Sequence, residues 1–113
     1  MKVYVAGKWS ERSKVRELMN AFELYGHEVT CDWTKHEDPC KSEEYSVEDI
    51  NAIKECDVLI AYMPSANVFY KGAWVEIGAA LALDKKVIII GNKVSSVFLS
   101  HPNINYFENI LMS

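Results

Sequence analysis

Between Gly72 and Leu83 the sequence reads Gly-Ala-Trp-Val-Glu-Ile-Gly-Ala-Ala-Leu-Ala-Leu, and Glu76 is its one charge. A carboxylate on an apolar helix is costly unless it is solvated, paired or used in chemistry. A solvent-facing Glu76 on an otherwise buried helix is the plain alternative. The small residues at 72, 73, 78, 79 and 80 let backbone approach closely and leave room for a ligand. A second acid, Asp49, closes Ser46-Val47-Glu48-Asp49, which has the form of a capping box. There an acid bonds the Ser46 amide and suits the positive end of the helix. On the residues alone, cap outweighs catalyst. Tyr4, in the middle of an apolar run, reads first as a core tyrosine with its hydroxyl bonded nearby. Trp9 reads as a loop anchor, and Lys8 and Lys93 as surface charges.

Several familiar chemistries are missing. Gly7-Lys8-Trp9 carries neither the dinucleotide fingerprint nor the Walker pattern. His27, His36 and His101 have no Gly-x-Ser-x-Gly partner. Cys31, Cys40 and Cys56 are odd in number and lack CxxC spacing, so free thiols are expected. A zinc site from Cys31, His36 and Cys40 would need a fourth ligand and a better pattern. Twelve basic against sixteen acidic residues give a net charge of −4, which argues against a nucleic-acid polymer as partner. No apolar window is long enough to span a membrane. The apolar run at the N-terminus is too short for a signal peptide. A cytoplasmic location is therefore expected.

The elements that must position these residues alternate. Strands are expected over Lys2–Ala6, His27–Asp32, Asp57–Met63, Val87–Ile90 and Asn103–Phe107. Helices are expected after Ser10 as far as the stop at Gly26, over Ser46–Glu55, over Gly72–Leu83, and as a short tail after Phe107. Trp33–Tyr45, charged and Pro-containing, reads as a surface loop. Such alternation in 113 residues predicts one α/β domain over 1–113. Its expected architecture is a five-stranded parallel sheet, flavodoxin-like or Rossmann-like, with strand order 2-1-3-4-5 and helices on both faces. Ligands of such sheets lie beyond the carboxyl ends of the strands. That edge gathers Gly7-Lys8-Trp9, Tyr62-Met63-Pro64 and Gly91-Asn92-Lys93. Asp49 and Glu76, early in their helices, face the same rim, while Asp57 starts its strand at the opposite edge.

Three stretches taken together resemble the nucleoside 2-deoxyribosyltransferase superfamily, which includes the 2′-deoxynucleoside 5′-phosphate N-hydrolases. They are Tyr4-Val5-Ala6-Gly7-Lys8-Trp9, then Glu48-Asp49-Ile50-Asn51-Ala52-Ile53 ahead of Cys56-Asp57-Val58-Leu59-Ile60-Ala61, and Gly72-Ala73-Trp74-Val75-Glu76-Ile77-Gly78. The resemblance implies that Glu76 is the nucleophile, Asp49 the catalytic aspartate and Tyr4 the tyrosine that orients the glutamate. Trp9 falls where the transferases have a tryptophan. Gly7, Lys8, Trp9, Met63 and Gly72 are the expected substrate-binding positions. Ser100 falls where the hydrolases take a serine from a neighbouring subunit for the phosphate. Departures occur at Tyr70, where some transferases carry an acid and the hydrolases a serine. Lys8 and Ser10 stand near where the hydrolases carry serine and arginine.

The implied reaction breaks an N-glycosidic bond through an oxocarbenium-like centre at C1′. Glu76 would attack C1′, Asp49 would support protonation of the departing base, and Tyr4 would hold Glu76 in one rotamer. Water then gives hydrolysis and a second base gives transfer. No metal or organic cofactor is needed. The expected partners are a nucleoside or nucleotide and further copies of this chain, a homo-oligomer closing a pocket that one short chain leaves open. A non-catalytic nucleotide-binding module using the same pocket is the alternative, and an interaction domain without a small-molecule site a weaker third.

Overall fold

The computed structural model describes residues 1–91 and 96–108. Five parallel strands form one sheet: β1 (Lys2–Ala6), β2 (Glu28–Val29), β3 (Val58–Met63), β4 (Lys86–Gly91) and β5 (Ile104–Glu108). Their order is β2-β1-β3-β4-β5, as the alternating pattern predicts. Asn92 and Lys93 of the expected crevice, and the expected helical tail beyond Glu108, lie outside the described residues. Among the described residues no helix is long and apolar enough to cross a membrane.

The helices are α1 (Arg12–Leu24), α2 (Ser42–Glu55) and α3 (Lys71–Ala82). Right-handed crossovers send the chain leftward through α1 and rightward through α2 and α3. So α1 covers one face, and α2 and α3 pack side by side on the other. Val15 and Met19 of α1, and Ala73, Ile77 and Ala80 of α3, are the buried contacts of those helices. Every residue of β3 is buried, as befits a strand covered on both faces. Gly26 stops α1 with φ 88°, a conformation glycine adopts without strain.

Three expectations give way. The second strand shortens to Glu28–Val29, because the chain leaves the sheet at Thr30 to enter a turn. Trp33–Tyr45 is not a surface loop. It holds two 3₁₀ turns, Trp33–Lys35 and Pro39–Lys41, and the start of α2, and Trp33 and Thr34 are buried. The third correction concerns Asp49. Helix α2 begins at Ser42, so Ser46 is no cap: its hydroxyl donates to the Glu43 carbonyl 2.7 Å away, inside the helix. The true entry signal is Asp38-Pro39. The Asp38 carboxylate accepts from the Cys40 amide at 3.0 Å, and Pro39 opens the turn that leads into α2. Glu43 and Glu44 then supply the first-turn acids. Asp49 therefore sits mid-helix and caps nothing.

At the carboxyl edge, β3 and β4 end against each other. A Cβ on Gly91 would stand 1.8 Å from the Met63 carbonyl oxygen, and Gly91 has φ 153°. Only glycine fits there, and Met63 on the adjoining strand is buried at the sheet end. At the opposite edge the Asp57 carboxylate accepts from the Lys2 amide at 2.8 Å, clear of the crevice as expected.

Candidate active site

β1 is an inner strand, paired with β2 and β3, and its side chains alternate between the faces of the sheet. Tyr4 points to the face under α2 and α3 and has no exposed surface. Its hydroxyl donates a hydrogen bond to the Glu76 carboxylate Oε2. Glu76 stands in the second turn of α3, half-buried, and is not the solvent-facing acid of the plain alternative. The two residues lie 72 positions apart in sequence.

Around them opens a cavity of about 360 Å³, lined by Tyr4, Gly7, Trp9, Asp49, Gly72 and Glu76, with Trp33, Ser46, Ile50 and Val75 completing the wall. Six of the nine expected site residues thus meet at one place. Lys8 is displaced to an adjoining hollow of about 260 Å³, where its Nζ donates to the Phe69 carbonyl at 3.1 Å. Met63 is not in the wall, since the strand ends bury it. Ser100 lies exposed in the 3₁₀ turn Val97–Ser100, also outside the wall. A larger, mostly apolar cavity of about 730 Å³ lies on a different face of α3, between Trp74, Ile77, Leu81 and Phe98. It contains none of the carboxylates.

Trp33 was hidden by the loop-like composition around it. Its indole Nε1 donates to the Val5 carbonyl at 2.6 Å, beyond the ladder of the sheet, and its ring forms part of the cavity wall. Trp9 is more exposed and carries the Arg12 guanidinium 4.4 Å from its ring centroid. Asp49 has company that sequence reasoning did not assign. The Cys31 thiol donates to its Oδ1 at 3.6 Å, and His36 Nδ1 lies 3.9 Å from the same oxygen.

Electrostatics separate the two acids from ordinary carboxylates. Burial pushes Glu76 up to about 7 from the usual 4.5. The Tyr4 hydrogen bond draws it back down, and the nearby Asp49 charge adds to the rise. Burial likewise raises Asp49, opposed by His36 and the Cys31 thiol and helped by Glu48. Tyr4 is raised far above its ordinary value, first by burial and then by the charges of Glu76 and Asp49, so it remains a donor. The arrangement offers one tethered carboxylate close to its ionisation point, a second acid beside it, and a permanent hydrogen-bond donor.

The sequence matches the nucleoside 2-deoxyribosyltransferase family over residues 3–111. The chain belongs to that family. Solved structures agree with its fold. A Clostridium botulinum CMP N-glycosidase, BcmB, is 28% identical with a TM-score of 0.71, covering 96% of this chain and 90% of that one. A 2-deoxyribosyltransferase from Bacillus psychrosaccharolyticus is 21% identical with a TM-score of 0.75, covering 96% and 86%. A Leishmania mexicana 2-desoxiribosyltransferase is 15% identical with a TM-score of 0.65, covering 86% and 68%. A search of curated protein sequences gives no significant match. As a member of the nucleoside 2-deoxyribosyltransferase family, the chain is an enzyme of glycosidic-bond cleavage or transfer.

The raised Glu76 has a consequence for folding that does not depend on substrate. Between pH 4.5 and about 7 the folded chain holds a proton on Glu76 that the unfolded chain has lost. Stability from this group is therefore intact below pH 4.5 and falls as pH rises through about 7. Glu76→Gln should melt with wild type near pH 4 and above it at pH 8, by about 3 kcal/mol at most. Thermal denaturation of both proteins at the two pH values checks this. Equal melting at pH 8 would mean that Glu76 carries no burial penalty.

Proposed function

We propose that this enzyme cleaves the N-glycosidic bond of a (2′-deoxy)nucleoside or its 5′-monophosphate through a covalent ester between Glu76 and the sugar C1′. The observation that carries this reading is the Tyr4–Glu76 hydrogen bond inside a cavity shared with Asp49. A retaining reaction needs a nucleophile held in one geometry and a second group for the leaving base. Tyr4 occupies one oxygen of Glu76 and leaves the other for C1′. Asp49, raised by burial, supports protonation of the base as the bond breaks, directly or through water. Attack by Glu76 breaks the bond from C1′ to the base nitrogen, and the bond's electron pair leaves with the base, which takes up a proton. Water then returns the free sugar, and a second base returns a new nucleoside. In this reading Glu76, Asp49 and Tyr4 carry the chemistry, with Gly7, Trp9 and Gly72 bounding the substrate.

A panel of ribo- and deoxyribonucleosides and their 5′-monophosphates, with and without a free acceptor base, tests the reading. The likeness to a CMP N-glycosidase places cytidine 5′-monophosphate in that panel. Free base should appear with wild type and fall on the order of 10³-fold or more in Glu76→Ala. Unchanged ligand retained by an inactive wild type would instead mark a binding module.

The Glu76 ionisation should govern the acidic limb of kcat/KM, which rises with pH through about 7. In Tyr4→Phe the hydrogen bond that favours the carboxylate is gone, so the limb should move to higher pH and the plateau should drop. A limb in the same place would separate Tyr4 from Glu76 in function.

The active form is proposed as a homodimer or larger assembly in which the segment around Val97–His101 reaches a neighbour's cavity. Exposed Val97 and Phe98 on that segment support such a contact. Ser100→Ala should then raise KM for a monophosphate roughly tenfold and leave the nucleoside unchanged. Light scattering that finds a fully active monomer would end the shared-site idea.

A further inference from the structure

The side chains behind Asp49 form a group that the glycosidic chemistry does not use. Cys31 follows β2, His36 ends the first 3₁₀ turn, and Asp49 lies in α2, so separate elements bring them together. Cys31 Sγ is 3.9 Å from His36 Nε2 and 3.6 Å from Asp49 Oδ1. One donor atom from each of the three falls within 4.8 Å of the others. Zinc bonds of about 2.0–2.3 Å in tetrahedral geometry hold ligand atoms about 3.3–3.6 Å apart. The two Cys31 edges are within a few tenths of an ångström of that spacing, while the His36–Asp49 edge must close further, because the 3.9 Å approach to Asp49 is made by Nδ1 rather than Nε2. Glu48 Oε2 pairs with His36 Nε2 at 3.2 Å and lies outside the three-residue group, so the fourth position falls to solvent or to a shifted Glu48. His36 is held flat by Tyr45, with ring centroids 3.9 Å apart and planes within 3°.

Acids gather around this group, Asp49 at 3.6 Å from Cys31 and Glu48 at 3.2 Å from His36, and a divalent cation there would neutralise them and take the sulfur as ligand. Thiolate, imidazole and carboxylate together suit zinc better than magnesium or calcium. Cys40, the other cysteine considered for zinc, is exposed and outside this group.

We propose that Cys31, His36 and Asp49 form a zinc site, and that zinc bound there withdraws Asp49 from the cavity and switches the enzyme off. On binding, the Cys31 proton passes to solvent, and the hydrogen bond between Cys31 and Asp49 gives way to one bond from each to the metal. The binding stands on the geometry and chemistry of the three donors. The inhibition rests on the role proposed for Asp49 above.

Cobalt(II), a coloured stand-in for zinc, separates the two. Titrated into reduced, metal-free protein, it should give visible bands of tetrahedral strength and a near-ultraviolet thiolate-to-cobalt band, and one equivalent of zinc should erase both. Cys31→Ser should lose the thiolate band while Cys40→Ser keeps it. By calorimetry, Cys31→Ser and His36→Ala should each weaken zinc binding about 100-fold or more. Absence of the thiolate band in wild type overturns the site, and so does a band that follows Cys40. Base release by wild type should fall with zinc and return with a chelator; activity indifferent to saturating zinc overturns the switch. If no substrate is turned over at all, the glycosidic reading fails while the cobalt spectrum still decides the site.

Discussion

A phenol and a carboxylate each find in the other the partner that their positions deny them. Tyr4 lies in an inner strand whose backbone groups are engaged in the ladder, so its hydroxyl has no donor or acceptor within the sheet. Glu76 lies on the inner side of α3 with little water to solvate it. Their hydrogen bond satisfies both, and it sets how closely α3 must lie over β1. Buried Ala73, Ile77 and Ala80 permit that approach, since larger residues at 73 and 80 would lift the helix from the sheet. The cavity is what remains between α3 and α2 once this spacing is fixed.

The sequence carried the sheet and the isolated acid plainly. Continuous apolar runs at Val58–Met63 and Val87–Ile90 become the inner strands β3 and β4, and the isolated acid of α3 meets the tyrosine of β1. What it concealed were features that depend on distant partners. Ser46-x-x-Asp49 imitates a cap because the pattern is local, while the actual start of α2 is dictated a turn earlier by Asp38-Pro39. Trp33 sits among charged residues and reads as exposed, yet the Val5 carbonyl draws its indole inward. Cys31 and His36 acquire meaning only when α2 brings Asp49 between them. Met63 belongs to the right edge but is buried in the sheet end, away from the cavity wall. Lys8 has the right neighbourhood and an intramolecular partner at Phe69.

The two acids also show how one small site can hold like groups with unlike partners. Both are raised by burial, yet their correctives differ: a phenol for Glu76, a thiol and an imidazole for Asp49. A phenol this strongly raised cannot give up its proton at neutral pH, so the correction on Glu76 is constant. The correction on Asp49 comes from a thiol and an imidazole at longer range, 3.6 and 3.9 Å away. The tight partner of Glu76 and the looser ones of Asp49 follow from which side chains β1 and the turn after β2 supply.

The chain has three tryptophans, and two of them, Trp9 and Trp33, face the cavity. Trp74 lines the separate apolar hollow on another face of α3. Indole emission responds to the polarity and to the stacking partners around the ring, so the cavity wall is its own optical reporter. A molecule entering between α2 and α3 changes the surroundings of a fixed, buried indole and of a more exposed one under Arg12. Arrival and departure of ligands are thereby written into the protein's native fluorescence, without a dye or an engineered probe.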